Sequence, residues 1–197
     1  MPNLMFRVLL FLTFSALTLA GCSSRQVQES LTGSTAQRLV SHSIDQLMDG
    51  LPAEDFEPLR GSSLWVESSF IEEGPIKRYA DQRLKFELTE RFGITLTSTK
   101  SDSEARMVVF YTSLATDQEL AGFFLPLGAV PGLGDQSRVN LITLEKFHGV
   151  AELYYFIESD RGIERGPTLI SRTRTDALGL PVITIPISRL PEGEAVD

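Results

Sequence analysis

One cysteine, two histidines and one tryptophan occur in 197 residues, and lysine plus arginine (18) fall short of aspartate plus glutamate (26). Each scarcity excludes something. A lone cysteine closes no intramolecular disulfide and builds no multi-cysteine metal centre. A net charge of −8 denies the chain the basic face that nucleic-acid binding needs. His42 and His148 stand without a Cys or carboxylate at metal-ligand spacing, so neither a metal nor a cofactor is expected. There is no Gly-x-Ser-x-Gly elbow, and Gly128, Gly132 and Gly134 lack the spacing of a phosphate loop. Glu72, Glu73, Glu152 and Glu158 read as solvated faces rather than as acid/base pairs. What is present is an ordinary globular composition, 42% hydrophobic with 15 Gly and 10 Pro, which rules out collagen-like repeats and wholesale disorder. A non-enzymatic domain is the expectation.

The strongest local signal is at the start. Arg7 is the only charge before Cys22, and Val8 to about Ala20 is an apolar run interrupted only by Thr and Ser. A membrane span needs ~20 such residues, so this run has the length of a signal-peptide core. Leu19-Ala20-Gly21-Cys22 then resembles the bacterial lipobox, a branched apolar residue and two small ones before cysteine. The resemblance implies cleavage between Gly21 and Cys22, a thioether diacylglycerol on the Cys22 sulfur, and acylation of the new amine by a palmitate-type chain. A single myristoyl chain holds only marginally, whereas two or three chains, at ~0.8 kcal/mol per buried CH₂, hold durably. Ser rather than Asp follows Cys22, which resembles default sorting to the outer membrane, facing the periplasm. Losing a signal that carries one Arg and no acid takes the mature chain from −8 to −9. Anionic head groups should repel so acidic a chain, leaving the lipid alone to tether it.

The mature chain divides into a lipidated cysteine with a flexible tether at 22–34, one α/β domain at 35–190 and a disordered tail at 191–197. Ser34 or Thr35 suits an N-cap for a helix to Asp49, with Leu39, Val40, Ile44, Leu47 and Met48 on one stripe and Gly50 as its stop. Residues 51–61 form a loop with a short helical turn. Ser63 to Ser68 is a strand; Pro75 opens a helix to Phe92, carrying Ile76, Ala80, Leu84 and Leu88. Ile94 to Thr97 closes a strand–helix–strand unit with parallel strands. Arg106 to Leu114 is a continuous apolar run, which predicts burial on both faces. Val139 to Lys146 and Val150 to Ser159 read as two strands joined by a Phe147-His148-Gly149 turn, with Tyr154 and Phe156 on one face and Leu153 and Tyr155 on the other. Leu169 to Arg174 ends an antiparallel meander. The fold class expected is therefore α/β, one domain on a mixed sheet, parallel first and antiparallel later.

Two segments are apolar without a period. Leu120 to Gly134 has no polar side chain in 15 residues, and Ala177 to Ile187 is nearly as apolar. Pro126, Pro131, Pro181 and Pro186 predict irregular loops. Such loops either cover the core or expose a surface to a partner or membrane. The residues that would make that surface are Phe123, Phe124, Leu125, Leu127, Val130, Leu133, Leu180 and Val182.

From about Gly61 to Ile187 the chain resembles an uncharacterised family of bacterial lipoproteins, known as a domain of unknown function. The likeness lies in SLWVESSFI, IKRYADQRLKFELTERFGI, EARMVVFYTSLATD, AGFFLPLGAVPGLG and GVAELYYFI. It is more distantly similar to envelope-assembly accessory lipoproteins, which implies an envelope protein as partner and no catalysis. The alternative is a binding module for a small apolar or lipid ligand, walled by the two apolar segments with Tyr154, Tyr155 and Phe156. Replacing Cys22 with Ser is expected to leave the chain without fatty acyl groups and to move it from the membrane to the soluble fraction. Fractionation with intact-mass measurement checks this.

Overall fold

The computed structural model describes residues 25–27, 33–126, 138–181 and 183–188, with backbone alone at 25–27, 124–126 and 138–140. The segments assigned to the signal (1–21), to Cys22 and to the tail (191–197) lie outside them. Along the chain come β1 (Arg25–Val27), α1 (Ser34–Asp49), α2 (Ala53–Phe56), a 3₁₀ turn (Glu57–Leu59), β2 (Ser63–Ser69) and α3 (Pro75–Glu90). β3 (Thr95–Leu96), β4 (Ala105–Pro126), β5 (Arg138–Ser159), β6 (Gly162–Arg165), β7 (Leu169–Gly179) and β8 (Thr184–Pro186) follow. All eight strands belong to one mixed sheet of order β3-β2-β4-β5-β7-β8, with β1 paired to β4 and β6 to β5. The fold is α/β, as expected.

By contacts the chain divides into two units: 30–117 with 148–174, and 1–29 with 118–147 and 175–197. In the first, β2 runs parallel to both β3 (Leu64↔Leu96) and β4 (Leu64↔Ala105 through Ser69↔Phe110), so the strand–helix–strand reading holds. The α1 stripe is buried as predicted, and with Ala80, Leu84 and Leu88 of α3 it covers Met107, Val109 and Tyr111 of β4 and Leu153 and Tyr155 of β5. Phe56, fully buried, sits 4.9 Å from the Phe92 ring and 5.4 Å from Tyr155, whose hydroxyl donates to Asp55 at 2.6 Å. Burying each such side chain contributes about 1.5–3 kcal/mol. Asp45 of α1 accepts from both Tyr79 Oη and Arg83 Nε of α3 at 2.8 Å. Desolvation first, then that carboxylate, pushes the Tyr79 phenol up to about 12.

Several expectations are corrected. The N-cap of α1 is Gly33, with no capping side chain, because Ser34 already lies within the helix. Ile76 is exposed and Lys77 buried in its place, its ammonium paired with Glu73 and Asp81 one turn to either side. β4 buries one face only: Ala105, Met107, Val109 and Tyr111 alternate with half-buried Arg106, Val108, Phe110 and Thr112. The alternation slips by one residue before Leu114, the mark of a bulge. Part of the stretch read as a flexible tether is a strand, β1, because its backbone pairs antiparallel with Gln118–Leu120.

There is no turn at 147–149; β5 runs straight through it. The glycine serves packing instead, since a Cβ at 149 would lie 2.2 Å from the Leu39 carbonyl oxygen of α1 and 2.9 Å from Ser43 Oγ. That hydroxyl is buried within reach of the Leu39 carbonyl (2.9 Å), the Gly149 carbonyl (2.8 Å) and Thr173 Oγ1 (3.0 Å), and it accepts the Thr173 N–H (3.2 Å).

The second unit corrects the loop expectation at 120–126, 177–179 and 184–186, while 127–134 lies outside the described residues. Leu120 to Pro126 continues β4, and Ala177–Gly179 pairs with Thr184–Pro186 as a hairpin. Pro126 and Pro186 stand at the last residues of β4 and β8, where a missing N–H costs no ladder bond, and Pro181 lies in the bend between β7 and β8; Pro131 lies outside the described residues. Gly122, at φ 151°, lets β4 and β5 meet backbone to backbone: a Cβ there would lie 2.3 Å from the Ile142 carbonyl oxygen.

Gly149→Ala should force α1 off β5 and cost about 1–3 kcal/mol, the usual penalty for overpacking. Chemical denaturation of the variant against wild type measures it.

Candidate functional site

Within the first unit the helices cover one face of the sheet, and alternation along each strand delivers a second set of side chains to the other face. β2 sends Trp65 and Glu67 there, β4 sends Arg106, Val108 and Phe110, β5 sends Glu152, Tyr154, Phe156 and Glu158, and β6 adds Arg165. All but Glu158 and Arg165, which are exposed, are half-buried.

These side chains form two joined clusters. In one, the Arg106 guanidinium lies 5.1 Å from the centre of the Trp65 ring, with Nη2 3.1 Å from Glu67 and Nη1 3.7 Å from Glu158. Its Nε is buried without a hydrogen-bond partner. In the other, the Phe110 and Tyr154 rings stack at 5.1 Å and 13°. Phe156 meets both edge-on, at 6.2 Å and 6.0 Å, and Arg165 sits 5.2 Å above the Tyr154 ring. Cation–π contacts of this kind are worth ~0.5–1 kcal/mol when exposed and more once desolvated. At the exit of β2, Phe70 holds φ +85° and is 76% exposed. A bulky non-glycine residue rarely takes that conformation, and such strain gathers at functional positions.

Two of its three carboxylates, Glu67 and Glu158, pair with Arg106. The described residues contain no group of three or more His, Cys, Asp or Glu placed to hold a metal. His42 is half-buried on α1. His148 lies mid-strand rather than in a turn, with Nε2 buried and unpartnered. An open cleft of about 450 Å³ lies elsewhere in this unit, between Pro58, Leu59, Ser62, Glu104, Ala105 and the Ser159–Arg161 turn, and it is mostly polar. Tyr111, under the helices, has a buried hydroxyl without a hydrogen-bond partner; burial and then the nearby Asp81 charge push its phenol upward.

The residues singled out from sequence fall elsewhere. Phe123 is exposed near the end of β4, and Leu180 is half-buried in the β7–β8 hairpin. Phe124 and Leu125 lie in β4 with side chains outside the described residues; Leu127, Val130, Leu133, Val182, Gly21 and Cys22 lie outside them altogether. Tyr154, Tyr155 and Phe156 do not wall one pocket, because Tyr155 points into the helix-covered core. The aromatic–arginine face was missed although its signal was present: Tyr154 and Phe156 alternate with the core residues of β5, and Phe110 with those of β4.

No family model matches the chain, and no curated protein sequence matches it significantly.

A double-mutant cycle on Phe110→Leu and Tyr154→Leu should return a coupling of about 0.5–1.5 kcal/mol in unfolding free energy, the value of a stacked ring pair beyond its burial.

Proposed function

We propose that the chain is a lipid-anchored protein of the bacterial envelope, non-enzymatic, that docks another envelope protein through the face of its sheet that no helix covers among the described residues. The observation that carries this reading is the cluster of Trp65, Arg106, Phe110, Tyr154, Phe156 and Arg165, half-open to solvent. Tryptophan, tyrosine and arginine are the side chains on which binding energy concentrates at protein interfaces. Here they are already ordered by one another, so little rotamer freedom remains to be lost on docking. The signal segment and Leu19-Ala20-Gly21-Cys22 support export and anchoring, with Ser23 favouring the outer membrane and the periplasmic side. The resemblance to uncharacterised envelope lipoproteins agrees with a role in assembly or interaction. No nucleic acid, metal or cofactor enters this reading.

Photo-crosslinking amino acids in place of Tyr154 and Trp65, in living cells, should give a discrete adduct. The same probe at Lys85, exposed on α3, should not, and Phe110→Asp should abolish the adduct while leaving thermal unfolding cooperative. Identical adducts from Lys85, or none from the sheet face, would reject the docking surface.

A further inference from the structure

The second unit carries its hydrophobic side chains the wrong way round. Among its described residues Leu120 and Ala177 are the buried hydrophobics, whereas Phe123 (52%), Ile142 (48%), Ile183 (57%) and Ile185 (44%) are open to solvent, with Leu141 and Ile187 beside them in sequence. The chain that bears them is uncharged over long stretches: no Asp, Glu, Lys or Arg occurs from Leu120 to Pro126, from Val139 to Leu144 or from Ala177 to Ser188. An apolar area of this kind marks a contact surface. The chain itself indicates what covers it. β1 pairs antiparallel with β4 in the register Arg25↔Leu120, so the chain toward Cys22 leaves β1 at the end where β4 continues to Phe123. Three residue steps separate Arg25 from Cys22, a reach of at most about 10 Å.

We infer that the apolar ribbon formed by the ends of β4 and β5 and the β7–β8 hairpin lies in the head-group boundary of the bilayer that holds the Cys22 lipid. This rests on the lipid-anchor reading for its geometry and on the exposed side chains for its chemistry. An acyl chain rooted in the membrane brings the tail of β4 within reach of the surface. An apolar face then sinks ~5–10 Å into the head-group region, as interfacial segments do. The paired backbone of β7 and β8 (Leu178↔Ile185) leaves fewer peptide groups to desolvate there. The acidity of the mature chain opposes this contact little, because the uncharged runs carry none of it and, of the acids beside them, Glu119 is paired with Lys146 while the Glu145 carboxylate lies against Gly179. On this inference the attachment has two parts, fatty chains and an apolar face.

The test uses the full-length chain expressed with its leader, so that Cys22 is consumed by lipid, and carries Ile142→Cys or Ile185→Cys labelled with an environment-sensitive fluorophore. In vesicles of phosphatidylethanolamine and phosphatidylglycerol the emission should shift to the blue and be quenched by brominated acyl chains, relative to the same protein in detergent-free buffer. Water-like emission and no quenching while the protein is vesicle-bound would overturn the inference. So would a shift that appears in native envelopes but never in pure-lipid vesicles, since that assigns the face to a protein. The anchor is tested separately by intact mass. The unlipidated Cys22→Ser chain should still float weakly with the same vesicles, at least tenfold more than Cys22→Ser with Phe123→Asp and Ile142→Asp. Equal flotation of the two would reject the ribbon even if the anchor is present. Circular dichroism confirms that both variants fold.

Discussion

Helix α1 reaches the sheet only because position 149 has no side chain. At that point the Leu39 carbonyl approaches β5 so closely that a single methyl group would collide with it, and Ser43 turns the approach into a hydrogen-bonded seam joining α1, β5 and β7. With one proton, the hydroxyl serves one carbonyl at a time, while its lone pair holds the Thr173 N–H. A buried hydroxyl without partners would be costly; one surrounded by them fixes register and depth. Once α1 is seated, α3 follows through Asp45, Tyr79 and Arg83, and the core closes over one face of β4 and β5.

Covering one face leaves the other to its own devices. Side chains alternate along a strand, so every core residue of β4 and β5 implies a neighbour on the opposite side. In this chain those neighbours are rings and guanidinium groups that satisfy one another: Arg106 between a tryptophan and two glutamates, Tyr154 between a phenylalanine and an arginine. The result is an amphipathic patch of rings and guanidinium groups in mutual contact. The second unit solves the same problem differently. Among its described residues few hydrophobic side chains are buried, and Phe123, Ile142, Ile183 and Ile185 stay open to solvent.

Much of this was readable from residue order. The stripe of α1, the Pro75 start of α3 and its end at Gly93, which adopts φ +66° so that its N–H closes on the Thr89 carbonyl, all follow from local chemistry. So does the parallel pairing of β2 and β3. The partition of Tyr154 and Phe156 from Leu153 and Tyr155 was equally plain, yet its meaning required knowing that no helix covers the second face among the described residues. Gly149 misled because a glycine between two β-rich runs means a turn locally and a close approach only in three dimensions. Pro126 and Pro186 misled for a related reason: a proline forbids a central ladder position but not the last residue of a strand.

The sequence by itself determined the α/β class, the helices and the apolar character of 120–134 and 177–187, because periodicity, capping glycines and charge depletion are written in consecutive residues. Its opening segment likewise carries the apolar run and the cysteine on which the anchoring proposal stands. Only the tertiary structure decided that β5 runs unbroken past Gly149, that Arg25–Val27 joins β4, and which aromatic side chains share a face. Those outcomes depend on contacts between residues distant along the chain, such as Leu39 with Gly149 and Arg25 with Leu120, and no local pattern encodes such a meeting.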